Sequence, residues 1–143
     1  MGLDLDAEKR ARLWRQVESL VEGYAARVGG LPASPKLDAE EIRARLSAFT
    51  FDAPVEAGEA LRFAARQLCE FQVHTSHPRY YGLFNPKPTA MGVFADAVVA
   101  GFNPQMAAWS HSPFACEVEA HLVRAFGERF GYAGESTDGT FCS

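Results

Sequence analysis

The spacing of apolar residues constrains the fold of this chain more than any other feature of its sequence. Apolar side chains recur at steps of three and four residues, the period of an α-helix, and no stretch alternates as a half-buried strand does. The first such segment covers residues 4–28, and its stripe consists of Trp14, Val17, Val21, Tyr24 and Val28. Gly29-Gly30 and the linker LPASPKL end the segment, so the sequence predicts helices separated by glycine and proline.

Two short or medium helices are predicted next. Asp38 followed by Glu41 resembles a capping box, which predicts a short helix that ends near Ala48. A third helix is indicated by apolar residues on one face, which are Ala57, Leu61, Ala64, Leu68 and Phe71.

The second half of the chain is predicted to contain two more helices. Pro88 is expected in the first turn of a helix over about residues 89–101, which is apolar on nearly every face and therefore expected to be buried on every face. Ser112 caps the last helix, and Pro113 is its first residue. This helix runs to about residue 130, and its expected core side consists of Phe114, Val118, Leu122, Phe126 and Phe130.

Composition and charge exclude several classes of protein. A chain of 143 residues that is 48% hydrophobic and 22% charged matches one globular domain, and its net charge of −4 gives no general affinity for nucleic acid. The longest nearly apolar run, residues 90–100, contains Asp96 and is too short to cross a membrane. The N-terminus is charged and the cysteines are widely spaced, so we expect a cytoplasmic protein whose reduced thiols are Cys69, Cys116 and Cys142.

The side chains that could carry chemistry do not form a complete active site, so we expect no catalytic residue in this chain. His74 and His77 are followed by a proline that prevents a continuing helix, and we expect them to form hydrogen bonds in a loop rather than a metal site. Glu117 and Glu119 diverge on a helix and are not expected to act as a pair. The chain has no glycine-rich phosphate loop, and its lysines lie in a helix, a linker and a proline-rich loop: Lys9, Lys36 and Lys87.

Two segments that flank the apolar helix have the composition of ligand-binding loops. They are RYYGLFNP, residues 79–86, and NPQMAAWSHSP, residues 103–113. Loops at both ends of one buried helix are typical of a pocket wall. The same aromatic side chains could also fill a core, and the residues alone leave both interpretations open.

A series of motifs resembles the N-terminal part of the group II pyridoxal-phosphate-dependent decarboxylases, which include aromatic-amino-acid, glutamate and cysteine-sulfinate decarboxylases. In chain order, the motifs are HPRYYG with its following loop, a small-residue helix with Ala95-Asp96, Trp109 before Ser112-Pro113, and Glu117-Val118-Glu119. They cover about residues 74–143, and the first three helices fit the family's N-terminal arm more loosely.

The resemblance implies a mainly α fold, namely the N-terminal helical arm of a fold-type-I pyridoxal-phosphate enzyme, which ends where the large α/β domain begins. It implies that residues 1–73 form a dimerisation arm and that residues 74–143 supply substrate-side loops and helices leading into the cofactor domain. The family's phosphate-binding turn is expected just after Ser143, and its ring-stacking His, its ring-nitrogen Asp and its Schiff-base Lys lie further on. This chain alone is therefore expected not to bind pyridoxal phosphate.

The resemblance also implies which residues bind substrate. The loop of Leu83, Phe84, Asn85 and Pro86 matches the family segment that lines the substrate side of the pocket. Gln105 and Ala107 match positions that reach the pocket of a neighbouring subunit. Aromatic decarboxylases often carry bulky apolar residues at these two positions, so the residues found here count against an aromatic substrate.

The function that the resemblance implies is the N-terminal portion of an amino-acid decarboxylase, which acts on a small amino acid. The implied partner is a second copy or a complementary chain that carries the cofactor domain, and neither nucleic acid nor a membrane is expected. Two alternatives stay open: a non-catalytic dimerisation or regulatory piece, and part of a related aminotransferase or lyase. A shortened chain, a processed piece and one half of a split enzyme would all fit the ending at Ser143.

Overall fold

The computed structural model describes residues 4–50, 52–82, 87–133 and 137–141. Within these ranges the chain is helical and has no β-strand, which confirms the predicted mainly α fold. The five α-helices of the described ranges are α1 Ala7–Arg27, α2 Ala39–Leu46, α3 Ala57–Phe71, α4 Ala90–Phe102 and α5 Pro113–Arg129, and the 3-10 helix Val28–Gly30 follows α1. No helix in the described part combines the length and the apolar content that a membrane span requires.

The chain divides into two compact units. The first unit, Met1–Pro88, contains α1 to α3, and the second unit, Thr89–Ser143, contains α4 and α5. Within the first unit, the His74 N–H donates to the Ala33 carbonyl at 2.9 Å, which ties the segment before the HPRYYG motif to the linker after α1. The predicted division of roles at residue 73 concerns function, and it stays a prediction.

Polar side chains at the helix N-termini set where the helices begin. Asp38 accepts hydrogen bonds from the Glu40 and Glu41 amides at 3.0 and 3.1 Å, as the capping pattern predicts, although α2 ends at Leu46 rather than near Ala48. The Thr89 hydroxyl accepts from the Gly92 amide at 3.0 Å and caps α4. The expected place of Pro88 in the first turn is therefore wrong, because the capping threonine separates that proline from the helix.

Specific polar contacts connect the helices of the first unit. Gln16 of α1 donates to the Gly58 carbonyl of α3 at 2.6 Å. A Cβ at Gly58 would lie 2.7 Å from the Gln16 Oε1, so a larger residue here would displace the Gln16 side chain from its present position. Arg45 of α2 bonds both Glu41 and Glu70, and its guanidinium lies 4.6 Å from the ring centroid of Phe71. These contacts connect all three helices of the first unit.

Apolar burial is slight even in the first unit. Val28, at 4% exposure, is the only apolar side chain among the described residues that is buried to this degree. In the predicted stripe of α1, Trp14 remains 57% exposed and Val21 39% exposed. A stripe left this open after folding is available for contact with another surface.

The second unit exposes most of its apolar surface. The predictions that α4 is buried on every face and that α5 has a buried apolar side are both wrong for this chain, since no large side chain of either helix is buried. The most exposed large apolar side chains of α4 are 54–84% exposed, namely Met91, Phe94, Val98, Val99 and Phe102. The apolar side of α5 is 40–82% exposed at Phe114, Val118, Leu122, Phe126 and Phe130. Two helices are too few to cover these faces, so the sequence pattern describes a surface that this chain alone does not cover.

Candidate functional site

The predicted substrate residues fall into two groups. Leu83, Phe84, Asn85 and Pro86 lie outside the described residues, and their role stays a prediction. Gln105 and Ala107 lie in the second unit, in the turn between α4 and α5, and both are exposed.

The turn that carries Gln105 begins with an unusual backbone conformation. Asn103 ends α4 in the left-handed region, at φ 46°, and its N–H donates to the Val99 carbonyl at 2.7 Å. Asparagine tolerates this conformation better than most residues do, so it suits the end of the helix. The Gln105 side-chain amide donates to the Asn103 Oδ1 at 3.2 Å, which shows that Gln105 also braces the turn.

The rest of this turn is tied to the start of α5. The Trp109 indole N–H donates to the Glu117 carboxylate at 2.8 Å, and Pro113 is the first residue of α5, as predicted. Trp109 therefore fixes the turn while its ring stays 60% exposed. Ser110 and His111 lie 3.3 Å apart, Oγ to Nδ1, closer than expected for adjacent residues, yet both are exposed. An exposed pair of this kind lacks the desolvated, oriented setting that an activated nucleophile needs.

A buried histidine anchors the segment that leads toward residues 83–86. His74 is fully buried, its Nε2 lies 3.1 Å from the Cys69 carbonyl, and its Nδ1 lies 3.0 Å from the Tyr24 hydroxyl. Since the carbonyl can only accept, we assign the ring proton to Nε2, and the Tyr24 hydroxyl then donates to Nδ1. Partial burial raises the pKa of Tyr24, with Cys69 adding to the rise and Gln72 opposing it. The predicted hydrogen-bonding role of this histidine is confirmed.

His77 is the second buried histidine of this segment. It is 4% exposed, and its Nδ1 accepts from the Arg79 N–H at 2.9 Å. The ring proton therefore sits on Nε2, and this buried atom has no hydrogen-bond partner among the residues that the structure describes. In the described part of the chain, no three His, Cys, Asp or Glu side chains lie close enough together to hold a metal ion.

An open groove runs between parts of α1 and α3 in the first unit. Its volume is about 610 Å³, and its apolar lining includes Leu20, Val21, Tyr24, Ala65 and Leu68. This groove contains part of the stripe that the helical spacing of α1 predicts.

A second anchored segment lies at the other end of the described chain. The Glu119 carboxylate on α5 accepts hydrogen bonds from the Thr140 hydroxyl at 2.8 Å and from the Phe141 N–H at 3.1 Å. These bonds hold the pKa of Glu119 below its usual value, the Thr140 hydroxyl being the larger cause. Glu117 points to Trp109 instead, so the two glutamates diverge as predicted. Sequence patterns gave no signal for the Glu119 contact, because its partners lie 21 and 22 residues away.

The fold is that of the N-terminal region of a group of pyridoxal-phosphate-dependent enzymes. The structure of the Oryza sativa TDC with PLP and tryptamine matches at a TM-score of 0.84 and 15% identity, covering 97% of this chain and 28% of that one. Rhodiola rosea 4-hydroxyphenylacetaldehyde synthase matches at a TM-score of 0.74 and 17% identity, over 90% of this chain and 28% of that one.

Sequence similarity gives the same family. A tyrosine decarboxylase of Oryza sativa subsp. japonica is 30% identical over 131 residues, which are 88% of this chain and 24% of that protein. An aromatic-L-amino-acid decarboxylase of Bacillus atrophaeus is 25% identical over 142 residues, 99% of this chain and 29% of that protein. No protein-family model matches. The chain thus corresponds to the N-terminal part of the group II pyridoxal-phosphate-dependent decarboxylases, and it spans about a quarter of the length of these relatives.

Proposed function

We propose that this chain is the N-terminal portion of a pyridoxal-phosphate-dependent amino-acid decarboxylase, in which it forms part of the dimer interface and one wall of the substrate pocket. The observation that carries the proposal is the match of nearly the whole chain to two decarboxylases in sequence. The matching fold supports it.

The described residues do not fit pyridoxal phosphate by themselves. A lysine that binds this cofactor needs a desolvated pocket, yet Lys9, Lys36 and Lys87 are all exposed. The Lys9 Nζ lies 3.4 Å from the Asp6 carboxylate at the start of α1, and this lysine is distant in sequence from Lys36 and Lys87. We therefore propose that the complete enzyme binds the cofactor, which would act as an electron sink when carbon dioxide leaves the substrate, and that this chain alone does not.

For the substrate wall we propose Leu83, Phe84, Asn85 and Pro86 together with the turn residues Gln105 and Ala107. The turn position supports the second pair, since both residues are exposed and Gln105 is oriented by Asn103. The names of the matching proteins refer to aromatic substrates or products. Gln105 and Ala107 are polar and small, whereas bulky apolar residues are expected at these positions for aromatic substrates. We therefore propose that the substrate is a small amino acid.

The partner we propose for the exposed helix faces is a second copy of the chain together with the cofactor domain. The open groove between α1 and α3 and the exposed apolar faces of α4 and α5 support this, because water contact with so much apolar surface is unfavourable. We place the complete enzyme in the cytoplasm, which is consistent with the free thiols Cys69 and Cys116.

The decisive experiment uses the protein expressed from its complete reading frame. We expect carbon dioxide release from at least one amino acid in a panel that includes tyrosine, tryptophan and glutamate, and release should depend on added pyridoxal phosphate. A protein that neither binds the cofactor nor releases carbon dioxide would contradict the proposal and favour a non-catalytic dimerisation or regulatory piece.

A related reaction is the second candidate. One fold match carries the name of an aldehyde synthase rather than a decarboxylase, so this helical region occurs in enzymes with different products. Product analysis separates the candidates: an amine supports decarboxylation, whereas an aldehyde or a keto acid supports the related chemistry.

Asn85 offers a test of the pocket wall. If this amide contacts substrate, Asn85→Ala should lower kcat/KM by about tenfold or more, roughly 1.4 kcal/mol, with little change in melting temperature. Lys87→Ala, in the same proline-rich stretch, serves as the matched control and should leave kcat/KM unchanged. A loss of about 1 kcal/mol of stability with kcat/KM intact would make Asn85 a turn residue and remove the loop from the pocket.

A further inference from the structure

One face of α5 carries an extended segment of the chain in a defined register. Glu119, Val123 and Gly127 are spaced four residues apart and therefore lie in a row along the helix. Residues 137–141 run along this row in the opposite direction: Thr140 and Phe141 meet Glu119, Gly139 meets Val123, and Thr137 meets Gly127.

Glu119 is the polar end of this row. Its Oε1 accepts from both the Thr140 hydroxyl and the Phe141 backbone N–H. A bond to a backbone amide fixes the main chain itself, and the second bond to the preceding side chain determines which residue occupies the position. The Phe141 ring packs edge-on against Phe126, with centroids 6.2 Å apart. Both ends of Phe141, backbone and ring, are thus held by α5.

Gly127 is the other end of the row, and it is buried. A Cβ at this position would lie 2.3 Å from the Thr137 Cγ2 and 2.9 Å from its Oγ1. Glycine in a helix interior is unfavourable compared with alanine. Its presence here follows from the close approach of Thr137, whose hydroxyl also bonds the Ala133 carbonyl at 2.9 Å.

A Cβ at Gly139 would lie 3.5 Å from Val123 Cγ1, an ordinary van der Waals distance, so this backbone lies directly on the valine. Three contacts at one helical spacing specify a register, because a shift of the segment by one residue would lose the Glu119 bonds and bring another side chain onto Gly127.

We propose that Glu119 is a positioning residue that holds residues 137–141 in register on α5, and that the complete enzyme needs this register to bind pyridoxal phosphate. The inference rests on the proposed function, in which the phosphate-binding turn follows Ser143. In this proposal Glu119 acts through its bonds to Thr140 and Phe141 and not by contact with substrate or cofactor.

The test uses the protein expressed from its complete reading frame and two readouts, namely amide exchange at Phe141 and the dissociation constant for pyridoxal phosphate. Glu119→Ala should speed exchange of the Phe141 amide and weaken cofactor binding, each by at least about tenfold. Glu119→Gln keeps an acceptor oxygen and should restore both to within about threefold. Glu128→Ala removes another exposed carboxylate of α5 outside this row and should change neither.

The outcomes separate this inference from the proposed function. Unchanged exchange in Glu119→Ala would overturn the inference whatever the protein does. Faster exchange with unchanged cofactor affinity would also overturn it, since the contact would then be structural only. A wild-type protein without affinity for pyridoxal phosphate would instead overturn the proposed function. Gly127→Ala guards against a folding artefact, because it releases the same segment by displacing Thr137 while leaving Glu119 in place, and it should reproduce both effects.

Discussion

The two units of this chain are both helical, yet they differ in the contacts between their helices and in how much apolar surface they expose. The first unit joins its helices through specific polar contacts, such as the Gln16 bond to the Gly58 carbonyl and the Tyr24 bond to His74. The second unit has more apolar helices but leaves Phe102 and Phe114 at 84% and 82% exposure.

This difference indicates which unit depends on contacts with another surface. Polar contacts of fixed geometry can define the arrangement of the first unit within the chain, because donors such as the Gln16 amide and the Tyr24 hydroxyl have acceptors on other segments of the same unit. Apolar contacts depend less on fixed geometry, so the exposed apolar faces of the second unit can be covered by any complementary apolar surface. We therefore expect the second unit to depend more than the first on contact with another surface.

The largest effect on stability is expected when the buried histidine of the first unit is removed. His74→Ala deletes a fully buried ring and leaves Tyr24 and the Cys69 carbonyl without their partner. We expect a loss of about 2–4 kcal/mol in the free energy of unfolding, measured by urea denaturation. Tyr24→Phe removes only one hydroxyl and should lose about 1 kcal/mol. Replacing the exposed His111 by alanine is the control, and an equal loss there would contradict the special role of His74.

Self-association of the isolated chain tests whether the exposed apolar faces of the second unit form its main contact surface. We expect the isolated chain to self-associate, and Phe102→Ser combined with Phe114→Ser should weaken association by at least about tenfold, or 1.4 kcal/mol, in sedimentation experiments. Arg124→Ser on α5 should have no such effect. If Trp14→Ser weakens association more than the phenylalanine pair does, the stripe of α1 is the main contact surface and the comparison is reversed.

Two helical glycines of the second unit are expected to respond differently to substitution by alanine. A Cβ at Gly101 in α4 would meet no neighbouring group within 4 Å, so Gly101→Ala should stabilise the chain by about 0.5–1 kcal/mol. The same change at Gly127 meets Thr137 and should give no net gain. Thermal unfolding of the two variants in parallel provides the measurement. Equal stabilisation by both changes would show that Thr137 does not pack on Gly127.

The smallest expected effect concerns pH. The pKa of Glu119 is lower in the folded chain than its usual value of 4.5, so its contribution to stability is complete above 4.5 and is lost as the pH falls through the folded-state value. Exchange of the Phe141 amide, corrected for its intrinsic pH dependence, should therefore lose protection only below 4.5. In Glu119→Gln this loss should be absent, and its persistence there would assign it to another group.

Much of the fold follows from local patterns in the sequence. Helical spacing and the residues at helix N-termini predict the five α-helices of the described ranges to within a few residues, because Asp38 at the N-cap of α2 and Pro113 at the first position of α5 act on their nearest neighbours. The predicted capping by Ser112 is wrong, since its side chain makes no capping hydrogen bond. The predicted burial of α4 and α5 is wrong, since an apolar pattern identifies a face that will be covered but not the chain that covers it. The contacts of His74 and Glu119 could not be predicted either, because their partners are distant in sequence.

Of the candidate site, the motifs predicted the family, and the family implied the substrate residues. Residues 83–86 lie outside the described ranges, so their contribution rests on that implication. Gln105 illustrates the limit of such reasoning, because its bond to Asn103 gives it a structural role that the motif did not indicate.

The most direct test of the central claim is where pyridoxal phosphate attaches. Borohydride reduction in the presence of the cofactor, followed by peptide mapping, should give one adduct per subunit in the protein expressed from its complete reading frame, at a lysine outside residues 1–143, and no stoichiometric adduct in the isolated chain. A stoichiometric adduct at Lys9, Lys36 or Lys87 would contradict the account, because the cofactor site would then lie within this chain.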